Sequence, residues 1–144
     1  YDTAIDRYKL ALYNSVVKRS RISERAYTCL KLSWLCRGKA EELLDAGSTS
    51  QSEEVILVRK EEAGFYEQAY EGFMKAIASE SFPICGMDKD TIDYLLAEMS
   101  FALGKYDIAS KLVSRLLGSN ANKHVKDKTL DLKQSIIKKL RENS

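Results

Sequence analysis

Leu103-Gly104-Lys105-Tyr106-Asp107-Ile108-Ala109 decides how this chain is read. A leucine-containing amphipathic stretch runs into a glycine, an aromatic residue follows two positions on, and a small residue three after that. This is the interior pattern of a tetratricopeptide hairpin. Glycine ends one helix because it alone enters the left-handed conformation without penalty. Tyr106 then opens the next helix, and Ala109 lets the two approach. With only Gly104 and Lys105 between them, the helices must pack antiparallel. The motif's later alanine–aromatic signature appears upstream as Ala69-x-x-x-Phe73-x-x-Ala76, and downstream in weaker form as Ala109-x-x-x-Val113-x-x-Leu116. Ala69 and Ala109 stand forty residues apart, longer than the usual period of about 34.

Working outward, helical periodicity runs through the whole chain. A first helix over 3–19 has Ile5, Tyr8, Leu12 and Val16 on its inner stripe. Ser23 is the expected hydroxyl cap of a second helix over 24–45. One face of that helix carries Tyr27, Leu30, Trp34 and Arg37. The neighbouring face carries Ala26, Cys29, Ser33 and Cys36, small enough to admit another helix closely. A polar linker, 46–52, ends in Ser50-x-x-Glu53, a capping-box pattern, and leads into a third helix over 53–79. Its stripe is Phe65, Ala69, Phe73 and Ala76, and Gly64 and Gly72 sit inside it. After a break containing Pro83, the only proline, Asp88 caps a fourth helix with Ile92, Leu95, Leu96, Met99 and Leu103 inward. The fifth covers 106–118. The sixth starts after Asn120 or Asn122, and Val125, Thr129, Leu132, Ile136 and Leu140 form its stripe. The reading is an all-α chain of about six helices in antiparallel hairpins, a single tetratricopeptide-like α-α superhelix over 1–144.

The composition agrees. Of 144 residues, 44% are hydrophobic and 31% charged, with a net charge of +2, which suits a packed domain rather than disorder. No apolar run approaches the roughly 20 residues of a membrane span, so insertion is not expected. Three cysteines, Cys29, Cys36 and Cys85, give neither a disulfide framework nor zinc-ligand spacing, and they point to a reducing, cytoplasmic compartment. The first residue is Tyr1 rather than methionine, which reads as the C-terminal part of a longer protein.

Candidate sites are few. His124, the single histidine, lies among Asn122, Lys123 and Lys126, a solvated setting unlike the dry pocket beside a nucleophile that catalysis needs. The glycines are scattered and form no phosphate loop. Asp88, Asp90 and Asp93 fit a helix N-terminus better than a metal site. No catalytic residue, metal or cofactor is expected, and the chain reads as a non-enzyme. If hairpins stack, the first helix of each lines a concave groove. Its walls would be Tyr27, Leu30, Trp34 and Arg37 from the second helix, and Thr91, Tyr94, Glu98 and Phe101 from the fourth. Tyrosine, tryptophan and arginine are frequent interface anchors. The expected function is a protein- or peptide-binding or scaffolding module, with Tyr27, Trp34, Arg37, Tyr94, Glu98 and Phe101 as the binding residues. The competing view is that Trp34 and Tyr94 only fill space between helices. Two alternatives stay open. The basic last helix (Lys123, Lys126, Lys128, Lys133, Lys138, Lys139, Arg141) could meet nucleic acid, although an amphipathic cap is the simpler account. The domain could instead hold or dimerise a metal-binding N-terminal region, as a homo-oligomer.

The block Phe82-Pro83-Ile84-x-Gly86-Met87-Asp88, followed by Thr91, Tyr94-Leu95, Glu98 and Leu103-Gly104-x-Tyr106-x-x-Ala109, resembles a bacterial family known as domain of unknown function 2225. Trp34-Leu35-Cys36-Arg37 is similar to that family's Ala-Trp-Leu-Tyr-Arg segment, with Ser33 and Cys36 in place of its alanine and tyrosine, and Ala11-Leu12-Tyr13 fits its first helix. The resemblance runs from about Tyr8 to Asn122 and fails beyond, at Lys128-Thr129-Leu130-Asp131. It implies a cytoplasmic bacterial protein with a tetratricopeptide-like C-terminal half, and an N-terminal half with paired cysteines suggestive of a zinc ribbon. None of those cysteine pairs occurs here, so no metal site carries over.

Overall fold

The computed structural model describes residues 1–17 and 20–143, the side chains of residues 16 and 17 excepted. Arg19 and the Val16 side chain, which the periodicity gives to the first helix, lie outside the described residues. The described chain is all-α, with six helices: α1 (Asp2–Val17), α2 (Ile22–Asp45), α3 (Glu53–Ser79), α4 (Lys89–Ala102), α5 (Tyr106–Leu117) and α6 (Lys123–Glu142). They form two compact units, Tyr1–Ser79 and Glu80–Ser144.

In the first unit α1, α2 and α3 run antiparallel in turn. The start of α1 meets the end of α2, where Lys39 pairs with Asp2 at 2.7 Å and the Tyr1 ring covers Gly38. The core gathers Ile5, Leu32, Cys36, Ala40 and Val58, with Tyr8, Leu12, Leu35, Leu43 and Phe65 half-buried around it. Ala26, Ala69, Phe73 and Ala76 are fully enclosed. So is Tyr66, which the stripe of α3 did not include. The small-residue face of α2 acts as expected, since Gly72 of α3 lies directly against Ala26.

Two capping expectations fail here. Residue Arg21, not Ser23, precedes α2, and no side chain caps it. Ser23 is instead buried inside the first turn. The Ser50–Glu53 box is out of register, because Glu53 already opens α3. Ser52 is the preceding residue, and its hydroxyl donates to the Thr49 carbonyl rather than capping the helix.

The second unit packs α4 on α5 and both on α6, again antiparallel through α5. Its core joins Ala97, Ala109, Val113, Leu132 and Ile136 to Leu116, Ala121 and Val125. Asp88 caps α4 by accepting from the Thr91 N–H at 2.9 Å, and Asn122 caps α6 by accepting from the Val125 N–H at 2.9 Å. Gly104, at φ 76°, closes α4 with the paired bonds of a Schellman motif: Lys105 N–H to Ser100 C=O at 2.8 Å and Gly104 N–H to Phe101 C=O at 3.1 Å,. The sequence expectation for this turn is met. Leu140 departs from its assigned stripe and is 45% exposed. Before α4, Ile84 and Met87 exchange two backbone bonds of 2.9 Å around Cys85 and Gly86, both at positive φ, as a tight primed turn requires.

Candidate functional site

The residues expected to line one groove divide three and three between the units. Tyr27, Trp34 and Arg37 belong to the first, Tyr94, Glu98 and Phe101 to the second. All six are half-buried, so the two aromatic anchors, Trp34 and Tyr94, are neither sealed core nor bare surface. Leu30 is a correction, because it is completely enclosed and lines no surface. The reason is helical geometry. Leu30 stands one residue from Cys29 and four from Ala26, which places it at the border of the buried small-residue face,.

In the first unit, Tyr27 leans on Phe73 with ring centroids 6.5 Å apart. The Lys31 ammonium lies over Tyr27 at 4.5 Å and near Tyr8 at 5.7 Å. Each ring presents its negative face to the cation. Lys31, absent from the sequence reading, thus holds the aromatic residues of α1 and α2 together. Trp34 and Arg37 continue the same side of α2.

In the second unit, Tyr94 and Phe101 lie on the side of α4 that faces α6. Tyr94 packs onto the Ala121–Val125 end of α6, and its hydroxyl bonds the Glu98 carboxylate at 3.0 Å. The Lys128 ammonium stands 5.9 Å from the Tyr94 ring. Phe101 touches Tyr106 at 5.7 Å between centroids. With Ser135, Lys138, Lys139 and Glu142 of α6, it walls a surface hollow of about 250 Å³. One half-buried ring and two lysines thereby border the hollow, while Tyr94 and Lys128 form a separate ring and cation pair nearer the start of α6. The lysines were legible only as a basic cap. What the sequence lacked was the pairing of α4 with α6, which follows once α5 returns the chain antiparallel.

The acidic residues before and within α4 have structural tasks. Asp88 is the cap, and its hydrogen bonds with Thr91 hold its carboxyl below the usual range. Asp93, 5% exposed, accepts from Lys89 at 2.8 Å and from Arg115 of α5 at 3.2 Å. Among the described residues no group of three or more His, Cys, Asp or Glu converges as a metal site would require. Burial pushes the thiols of Cys29 and Cys36 up to about 11, so both are protonated and poor nucleophiles at neutral pH. His124 is exposed in the first turn of α6. No described helix is long and apolar enough to cross a membrane.

Residues 1–139 match a family described as "Uncharacterized protein conserved in bacteria (DUF2225)". No curated protein and no solved structure matches the chain.

Proposed function

The chain belongs to the bacterial DUF2225 family, and we propose that it serves there as a non-enzymatic protein- or peptide-binding module built from tetratricopeptide-like hairpins. One observation carries this reading. On the α4–α6 side of the second unit, Tyr94 and Phe101 keep part of their rings uncovered beside Lys128 and Lys139. A ring that is half packed is already fixed in place and loses little rotamer freedom when a partner covers it. Flanking lysines add orientation more than affinity. Tyr27, Trp34 and Arg37 of α2 form a second half-buried aromatic and basic set, suited to the same role within the first unit.

The test is an occlusion. Ser135 is exposed on the wall of the hollow, so Ser135→Trp fills it without disturbing the core. The full chain and this variant are used to capture proteins from a bacterial extract, followed by direct titration of each purified candidate. A partner whose affinity falls about ten-fold or more in the variant, at unchanged helicity by circular dichroism, supports the proposal. Partners bound equally by both proteins move the interface away from α4 and α6.

A further inference from the structure

We infer that the cleft between α2 and α3 in the first unit binds a small aliphatic monocarboxylate, its carboxylate held by Arg25 and its chain lying on Leu12, Ile22 and Ala26. This site is separate from the α4–α6 face, and each can fail without the other.

The small residues that bring α2 against α3 also shape the cleft. Gly72 presents no side chain and Ala26 only a methyl group, and beside them the helices enclose a concavity of about 350 Å³, at the low end of the range of ligand pockets. Half-buried Leu12 and Ile22 and buried Ala26 give it an apolar lining. Arg25 of α2 and Glu71 and Lys75 of α3 are the charged residues on its wall.

Arg25 is the group that calls for a ligand. Its Nε is buried and has no hydrogen-bond partner. Among the described residues no carboxylate pairs with it, although Glu71 lines the same wall. A buried donor without an acceptor carries the full cost of its lost hydration. The guanidinium also lies close enough to Cys29 to oppose the effect of burial on that thiol, so its positive charge reaches the lining of the cleft and not only the mouth. Gln68 accepts from the Cys29 thiol at 3.8 Å, and its amide nitrogen supplies a second donor.

Charge and shape then select the ligand. Two cations against one carboxylate leave a single positive charge on the wall. A guanidinium takes a planar carboxylate through two parallel bonds. A phosphate monoester brings nearly two negative charges at neutral pH, more than the wall balances, and would face Glu71. The apolar lining calls for carbon beyond the carboxylate, since an anion alone would leave Leu12 and Ile22 uncovered.

The experiment titrates the isotope-labelled full chain at pH 7 and constant ionic strength with hexanoate, hexanamide and acetate. Hexanoate is expected to shift the backbone amides of Ala26, Cys29 and Gly72 saturably, with a Kd of about 1 mM, as so small a ligand permits. Hexanamide has the same shape without the charge and should bind about five-fold more weakly. Acetate lacks the chain and should bind about ten-fold more weakly. Arg25→Gln should bring hexanoate and hexanamide level, whereas Arg25→Lys should keep their order and narrow the gap. Glu71→Gln should tighten hexanoate about two- to three-fold and leave hexanamide unchanged. Circular dichroism checks that each variant keeps its helicity. Equal binding of hexanoate and hexanamide by the parent overturns the carboxylate assignment. Acetate binding as well as hexanoate would mean an adventitious ion only and overturns the ligand class. A preference for hexanoate that survives Arg25→Gln overturns the role of Arg25, and no saturable shift at these amides overturns the site.

Discussion

The two units bury similar helices by different means. The first is closed by close approach: Gly72 lies against Ala26, and alanines at 40, 69 and 76 are completely enclosed. Its second helix begins without a side-chain cap. The second unit is fastened at helix ends and by charge. Asp88 and Asn122 cap α4 and α6, a Schellman turn closes α4, and Asp93 ties Lys89 to Arg115. A seam of small residues tolerates almost no added volume, whereas caps and ion pairs are local and each contributes modestly. Hence the first unit should fail steeply when its seam is altered and the second only by increments.

The largest effect should come from the core of the first unit. Phe73→Ala empties a fully enclosed position and should cost about 3–5 kcal/mol, read by urea unfolding and by amide exchange in α2 and α3. A loss under about 1 kcal/mol would show that this core collapses onto the gap and would erase the contrast. Next comes the charged latch. Asp93→Ala removes a carboxylate that is 5% exposed, but Lys89 and Arg115 are 56% and 57% exposed and regain water once freed. The expected loss is therefore about 1–3 kcal/mol, below the 3–5 kcal/mol or so of a pair whose survivor stays buried. The double change of Asp93 and Arg115 to alanine should cost less than the sum of the two single changes.

Glycines of α3 give a sharper contrast within one helix. A methyl group at Gly72 would sit 2.7 Å from Ala26 Cβ and 3.4 Å from its Cα, while one at Gly64 meets nothing within 4 Å. Gly72→Ala gains helix propensity, worth about 1 kcal/mol, yet overpacks the seam at about 1–3 kcal/mol, so the net change is destabilising. Gly64→Ala keeps the propensity gain alone and should stabilise by up to about 1 kcal/mol. Equal signs in thermal melts would mean that α2 and α3 move apart freely. Adding Ala26→Gly should recover part of the Gly72→Ala loss, because it removes the atom that is struck.

The same residues show what was legible in the sequence. Helix number, the antiparallel hairpins and the Gly104 turn follow from periodicity and from one glycine with a two-residue gap. The Asp88 cap was readable, and that of α6 was narrowed to Asn120 or Asn122, because a side chain that bonds an amide three residues away is a local event,. Ser23 and Ser50 carried the same signal and do not cap: Ser23 is buried in the core, and Ser52 takes the position before α3 through a local shift of register. Gly64 and Gly72 look alike in sequence and differ only in what lies opposite. Tyr94, Glu98 and Phe101 were found as a face of α4. The lysines beside Tyr94 and Phe101 come from α6, 34 to 38 residues on, and periodicity within one helix cannot report such a pairing. Leu30 was misplaced for a related reason, since three half-buried neighbours on its face masked a position that is completely enclosed.

The smallest effects test whether the second unit depends on its caps one at a time. Asp88→Ala and Asn122→Ala should each cost about 1 kcal/mol, and together about twice that, since the sites serve different helices. Only the first should vary with pH. Asp88 has a carboxyl held below its ordinary value by the bonds with Thr91. A group whose folded pKa is depressed contributes stability above its unfolded pKa, near 3.8, and loses that contribution as pH falls through the folded value. Asp88→Asn keeps the cap and removes the titration. Its stability relative to the parent should therefore be flat from pH 7 to about 5 and rise below about 4, by less than about 0.5 kcal/mol because the carboxylate is exposed and screened. Asp2 is also lowered, by its bond with Lys39, so the difference between parent and variant is the quantity to measure, since the Asp2 contribution cancels in it. A difference that stays level to pH 2 would show that the N–H of Thr91 is satisfied as well by a neutral amide, and that the capping advantage of the second unit is one of geometry rather than charge.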